Sequence, residues 1–485
     1  MRKSSHIIVV GGGTAGLISA LMLKTKFPFK KIEVIRSSKI GTIGVGESST
    51  EHWNEFCRFV RIPRLETVQR AKSTWKIGVR FNGWSDDDFL HHIVAPHENR
   101  AADYYHVYAY LISENKDPKK LQPDISWENK FHLGKIVHND DPPCYQSHFD
   151  TYELIKFLET YCKNRDINLI EDELTHVKYY DDGDIESVCS KDNEYHGEFF
   201  IDCSGFKRFL SKDIPWKSYS EYLPTNSAIT FSTDEMEEYN KWTVATARKS
   251  GWSWEIPTQD RTGNGYVFSD GFINEDEALQ EMEEALGHKI DDVKSFKFDP
   301  GRLETAWNKN CYSVGLSQGF IEPLEATSIG SIIQQMFAFL MYLPSDDYKT
   351  CNKRVNDIFD NASDFVQAHY LTKKEDTPFW QSVKYDIKRS STLKSYLKMW
   401  KNRLPQAEDF HCPWGLFRPI NYIPVLYGLG WFDTKVIKKE FDQWGMDMAI
   451  QAIHDLNNIP PCRTSMSHKQ MINIVKESLV AINKE

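Results

Sequence analysis

The 485-residue chain lacks any Cys-x-x-Cys pair, and its nine cysteines are scattered. An odd, dispersed set excludes a disulfide framework or a zinc site and points to reduced thiols in a cytoplasmic setting. The histidines are equally dispersed and offer no metal-ligand cluster, so no metal is expected. Basic charge is short as well: 59 Lys and Arg stand against 69 Asp and Glu, a net charge of −10 that argues against general nucleic-acid binding. No apolar run reaches the length of a membrane span, so no membrane partner is expected. The stretch Ile7-Ile8-Val9-Val10 follows a basic start but stops at three glycines, which makes it a first strand rather than a signal peptide. Repeats, low-complexity tracts and flexible linkers are missing too.

What is present suits packed globular structure: 40% of residues are hydrophobic and 13% aromatic. The length exceeds one comfortable core, so two intimately packed domains are expected. The clearest local signal is Val9-Val10-Gly11-Gly12-Gly13-Thr14-Ala15-Gly16. A buried strand, Ile7 to Val10, enters a glycine turn, and helical composition runs from Thr14 to Lys24. Gly11, Gly13 and Gly16 have the spacing that lets backbone approach a pyrophosphate at a helix N-terminus. A second strand, Lys31 to Ile35, follows at the expected distance. It ends in Arg36, where an acidic ribose partner usually stands. Arginine there is open to three readings: a 2′-phosphate of NADP, the adenine-side phosphates of FAD, or solvent.

Further on, Gly41 to Glu47 forms a second glycine-rich loop before a helix near Thr50 to Val60. Asp150 to Asn164 reads as an amphipathic helix capped by Asp150. Leu174 to Phe200 reads as strands joined by a turn at Asp181-Asp182-Gly183-Asp184, ending in Asp202-Cys203-Ser204-Gly205. The nucleotide domain is therefore discontinuous. Trp252 to Ser269 is rich in aromatics, glycine and β-formers. A long helix is expected from about Pro323 through Leu343, stopped by Pro344, and another from about Asp347 to Leu371. A proline-rich connection spans Cys412 to Pro424.

The tryptophan pair Trp252 and Trp254, in Gly-Trp-Ser-Trp-Glu-Ile-Pro, is unusual, and paired aromatics of this kind most often pack a core. In this order with Lys76 in Trp75-Lys76-Ile77-Gly78-Val79-Arg80-Phe81, the block resembles the flavin-dependent tryptophan halogenase family. So do Gly44-Val45-Gly46-Glu47, Asp202 to Gly205, and Phe320-Ile321-Glu322-Pro323-Leu324-Glu325-Ala326-Thr327. Val366 to Tyr370 and Glu375 to Trp380 match as well, and the resemblance runs through roughly Gly430.

The resemblance implies an α/β fold: a discontinuous Rossmann-type FAD-binding domain with a β-rich insert and a largely helical substrate-covering region. Residues 1–400 would form the FAD-binding and halogenation module, and 401–485 the helical region completing the substrate site. Reduced FAD, O2 and halide would yield hypohalous acid, which crosses an internal passage to an aromatic substrate. Lys76 would activate that species, with Glu325 beside it tuning electrophilicity or taking the ring proton. An ammonium is a strong donor to a hypohalous oxygen, and a carboxylate can offset a cationic ring intermediate. Cofactor contacts would come from Gly11, Gly13, Thr14, Ala15, Gly16, Arg36, Glu47, Asp202, Leu316 and Ile329. Halide would sit on amides of Thr327 and Ser328, where Ser328 replaces the family's usual glycine. Trp252 and Trp254 would keep substrate off the flavin.

His106, Tyr108 and Phe417 match the wall around the substrate ring. Pro405, Gln406 and Cys412 replace the groups that hold the amino-acid end of free tryptophan, so another indole or a phenol is expected. A separate flavin reductase would supply FADH2, since no second dinucleotide site is evident; self-association into a homo-oligomer stays open. The rival readings are an FAD-dependent aromatic monooxygenase and a catalytically idle flavin-binding scaffold.

Overall fold

A computed structural model describes residues 6–41, 46–92, 104–118, 146–412, 414–457 and 467–482. The chain divides into two compact units, each assembled from three segments. The first comprises Met1–Lys72, Phe149–Tyr219 and Asp299–Asp360; the second comprises Ser73–His148, Ser220–Phe298 and Asn361–Glu485. Residues 401–485 thus fall wholly in the second unit.

The first unit is built on a six-stranded sheet in the order Trp307–Asn308, Cys311–Ser313, Phe199–Asp202, His6–Val10, Lys31–Arg36 and Asn168–Glu171. All neighbours are parallel except the Trp307–Asn308 edge. Parallel strands covered on both faces read as continuous apolar runs, and Ile7, Ile8, Val9, Phe200 and Ile201 are accordingly buried. Helix Thr14–Lys26 connects the first two strands and packs against Thr151–Lys163 and Thr327–Tyr342. Asp150 caps Thr151–Lys163, as its sequence position predicts, accepting from the amides of Tyr152 at 2.9 Å and Glu153 at 3.1 Å. The alternating stretch after Leu174 forms a small antiparallel sheet of His176–Tyr179, Ile185–Cys189 and Glu194–His196.

The second unit carries a seven-stranded sheet in the order Lys294–Lys297, Ser227–Asp234, Arg261–Phe268, Gly251–Pro257, Trp242–Arg248, Gly78–Asn82 and Phe89–His92. Its pairs are antiparallel except Trp242–Arg248 with Gly78–Asn82. Ile229, Phe231, Tyr266 and Phe268 bury one face against Ala278 and Met282 of helix Glu275–Leu286. Beside the sheet, Thr74–Lys76 pairs antiparallel with Gln146–Phe149. Helices dominate after residue 361.

Two expected boundaries move. The helix predicted from Pro323 starts at Thr327, because Pro323 to Ala326 form a turn in which Ala326 takes a left-handed φ of 56°. The connection predicted through Pro424 is instead helical over Pro419–Gly428. Pro419 supplies a pre-set first turn, and the helix accepts Pro424 at the loss of one hydrogen bond. Among the described residues no helix is long and apolar enough to cross a membrane, and no group of three or more His, Cys, Asp or Glu could hold a metal. The described cysteines are free.

Candidate active site

In the first unit, Gly11 holds a φ of 114°, and a Cβ there would run into the Cys203 carbonyl. The turn is tied to the sheet by the Gly11 N–H donating to Ile35 O and the Cys203 N–H donating to Val10 O, each 2.8 Å. Around Gly13 the opposite holds: nothing lies within 4 Å of a Cβ built there. Helix Thr14–Lys26 has neither a side-chain cap bond nor an acid in its first turn, so no capping side chain among the described residues occupies its leading N–H groups. This arrangement fits a dinucleotide pyrophosphate.

The surrounding candidates converge on this turn. Thr14 Oγ1 donates to Glu47 Oε1 at 3.2 Å. Burial pushes the Glu47 carboxyl up to about 7, against the lowering effect of that bond. Part of Glu47 still reaches the surface, so solvent tempers the shift. Ala15 lies against the turn Gly315–Ser317 that carries Leu316, since a Cβ on Gly315 would approach the Ala15 methyl to 2.8 Å. Of the expected loop motif, Gly44 and Val45 lie outside the described residues.

Arg36 lies along the loop, where a Cβ on Gly12 would meet its Cδ at 2.7 Å. Its guanidinium pairs with Glu159 and, at 3.4 Å, with Glu171. Two carboxylates therefore offset its charge. Asp202, fully buried, accepts from the Ser204 amide and hydroxyl, the Leu210 amide, and the hydroxyls of Ser211 and Ser317. Its carboxylate is thus a hub joining two loops at the end of the sheet.

At the start of Thr327–Tyr342 no side chain caps the helix, Thr327 is buried, Ser328 is exposed and Ile329 is fully buried. Glu325 is also buried, in the turn just before Ala326.

In the second unit, Lys76 is 1% exposed. Its strand registers Thr74 with His148, Trp75 with Ser147, and Lys76 with Gln146. Alternation puts Thr74, Lys76, Gln146 and His148 on one face. Thr74 Oγ1 donates to Pro257 O at 2.6 Å, so its oxygen is left to accept from His148 Nδ1 at 3.3 Å. His148 Nε2 then accepts from Thr243 Oγ1 at 2.9 Å. Burial, followed by the positive charge of Lys76, holds His148 well below the usual imidazole range, so it is neutral. On the other face, Trp75 stacks on His468 with ring centroids 5.6 Å apart and donates its amide to His468 Nε2 at 3.1 Å.

Trp252 and Trp254 are buried on one face of Gly251–Pro257, with ring centroids 6.0 Å apart. Tyr108 is buried and meets Tyr427 edge-on at 5.5 Å. The His106 side chain lies outside the described residues. Phe417 stacks on Phe365 at 4.2 Å, and its backbone is clamped by Asn361 through bonds of 2.8 and 3.0 Å. In residues 401–412, Glu408 is exposed, while buried Asp409 is committed to Arg403 and to the Trp400 indole N–H.

A cavity of about 910 Å³ in the first unit, lined by Tyr180, Glu198, Trp307 and Lys349 among others, contains none of the expected residues. The sequence reading missed Gln146, His148, Thr74 and Thr243. Its available signal was the polar run Gln146-Ser147-His148 just ahead of Phe149 and the Asp150 cap.

The fold is that of a flavin-dependent halogenase. BrvH, a flavin-dependent halogenase from Brevundimonas sp. BAL3, superposes with a TM-score of 0.81, covering 98% of this chain and 99% of that one at 24% identity. Tar14, a tryptophan C-6 flavin-dependent halogenase from taromycin biosynthesis, gives 0.79 over 97% and 100% at 25% identity. In sequence, tryptophan 6-halogenase SttH of Streptomyces toxytricini is 29% identical over 478 residues, 88% of this chain and 90% of its own length. The tryptophan halogenase family profile matches residues 6–440, and the chain belongs to that family.

Proposed function

We propose that this enzyme uses FADH2 and O2 to oxidise halide to hypohalous acid and halogenates an electron-rich indole- or phenol-like small molecule. Bound reduced FAD would supply two of the four electrons that reduce O2 and the halide the other two, and the balance is FADH2 + O2 + X⁻ + H⁺ → FAD + HOX + H2O. The observation that carries the reading is Lys76: an almost fully buried lysine whose same-face partners include a neutral His148. An ammonium in such a setting is a strong donor to a hypohalous oxygen, undiluted by water. Glu325, buried in its own turn, serves as the assisting carboxylate that offsets ring charge or takes the ring proton.

The FAD-binding assignment rests on a Rossmann-type sheet with an open glycine turn and an uncapped helix. Gly11, Gly13, Thr14, Ala15 and Gly16 cradle the pyrophosphate, while Glu47, Leu316 and Ile329 line the cofactor. Asp202 acts through the loops it ties. Arg36 is charge-compensated, which favours FAD over a 2′-phosphate. The amides of Thr327 and Ser328 hold halide, and the serine alters halide preference. Trp252 and Trp254 separate substrate from flavin, and His106, Tyr108 and Phe417 wall the substrate ring, with residues 401–485 completing that region.

Free tryptophan is disfavoured because Glu408 is exposed and Asp409 is already paired, leaving no evident carboxylate in 401–412 for its ammonium. A flavin reductase supplies FADH2.

The test is product mass after incubation with FAD, a flavin reductase, NADH and a pool of tryptophan, indoles and phenols, with chloride, bromide or iodide. Halide-dependent product on an indole or phenol, with little turnover of dilute tryptophan, is expected. Oxygen insertion independent of halide would point to a monooxygenase instead. In halide competition, an ordinary chloride preference would count against the role given to Ser328.

A further inference from the structure

Gln146 is 1% exposed, and its side-chain Oε1 is buried without a hydrogen-bond partner among the described residues. Buried acceptors are nearly always paired, so an unpaired one calls for a use beyond holding the fold. Its position supplies one. Gln146 is the antiparallel cross-strand partner of Lys76, and directly opposed residues in such a pair project from the same face at neighbouring Cβ positions. The other two side chains on that face are already engaged: Thr74 by Pro257 and His148, and His148 by Thr243. Gln146 therefore presents an acceptor that the described residues leave unused, across the strand pair from a buried ammonium-bearing side chain.

We propose that Gln146 orients hypohalous acid at Lys76. Hypohalous acid has one O–H donor and one acceptor oxygen. With the Lys76 ammonium donating to that oxygen and Gln146 Oε1 accepting the O–H, both polar functions are occupied. The halogen, the electrophilic atom, is left pointing away from the strand pair. Ring attack forms the C–X bond and breaks the O–X bond; the hydroxide released combines with the ring proton, so that Ar–H + HOX → Ar–X + H2O. The inference rests on the reading of Lys76 as the group that activates the halogen.

The experiment compares wild type with Gln146→Met, Gln146→Glu and Lys76→Met, each given reduced FAD and bromide. Two outputs are read together: brominated aromatic product, and bromination of a soluble 1,3-diketone that traps hypohalous acid escaping from the protein. For Gln146→Met the product should fall at least about tenfold while trap bromination rises, because a misdirected oxidant is lost rather than unmade. A purely structural role would lower both outputs in step. Gln146→Glu retains the acceptor and adds a negative charge near Lys76, so its product should persist to higher pH than in wild type.

A wild-type ratio of product to trap in Gln146→Met would overturn the inference. If that variant fails to fold, a Gln146→Glu pH profile superimposable on wild type would overturn it instead. Full product in Lys76→Met would overturn the Lys76 reading, and this inference with it; loss of product there beside an unchanged ratio in Gln146→Met would overturn this inference alone.

Discussion

Glu47 carries the most informative titration near the glycine turn. Its carboxyl is pushed up to about 7 from an ordinary value of 4.5, first by burial and with Thr14 opposing. Between those two values the folded protein holds a proton that the unfolded chain releases. Stability therefore falls as pH rises through this window. Glu47→Gln mimics the protonated form and should remove that slope. Because the residue is partly exposed, the stability difference between variant and wild type should grow by only about 1–2 kcal/mol between pH 4.5 and 7. Denaturant titrations of both proteins across that range provide the check, and parallel curves would contradict it. Nothing in the linear sequence marks this shift. Glu47 was legible as a family position, but its protonation depends on enclosure by residues distant in the chain.

At the scale of elements, strands and helices with strong periodicity or caps were legible. His6–Val10, Lys31–Arg36 and the Asp150-capped helix lie where the sequence puts them, because apolar runs, a glycine turn and an N-cap are local signals. The start of Thr327–Tyr342 was not. Pro323 looks like a first helical residue, whereas the left-handed Ala326 breaks the path, and that conformation is imposed by packing rather than by alanine. Nor did the sequence show the pairing of Lys76 with Gln146, which joins positions seventy residues apart in number and depends on strand register.

The tryptophan block shows how register and residue size cooperate. Trp254 is registered against Gly265, and a Cβ on that glycine would overlap the indole and approach Ile229 O to 2.7 Å. Gly265→Ala should therefore destabilise the protein by about 2 kcal/mol through overpacking, with altered tryptophan fluorescence. Wild-type denaturation midpoints and spectra in that variant would show that Trp254 is not fixed by this contact.

For the whole molecule, discontinuity was expected because the stretch ending in Asp202-Cys203-Ser204-Gly205 has nucleotide-domain character far along the chain from the glycine turn. Each of the two compact units is assembled from three separated segments. Substrate identity was less legible, since Pro405, Gln406 and Cys412 report only that familiar groups are missing. The structure adds the commitment of Asp409 to Arg403 and Trp400, which a sequence cannot display. In the proposed reaction the halide and flavin roles belong to one chemistry, and Lys76 is the residue on which that proposal turns.

The most direct measurement is the mass of aromatic product formed from wild type and Lys76→Ala with reduced FAD, O2 and bromide, under conditions where both bind FAD equally. Brominated product from wild type and a loss of at least about a hundredfold in Lys76→Ala is the predicted result. Equal bromination by the two proteins would contradict the account at its centre.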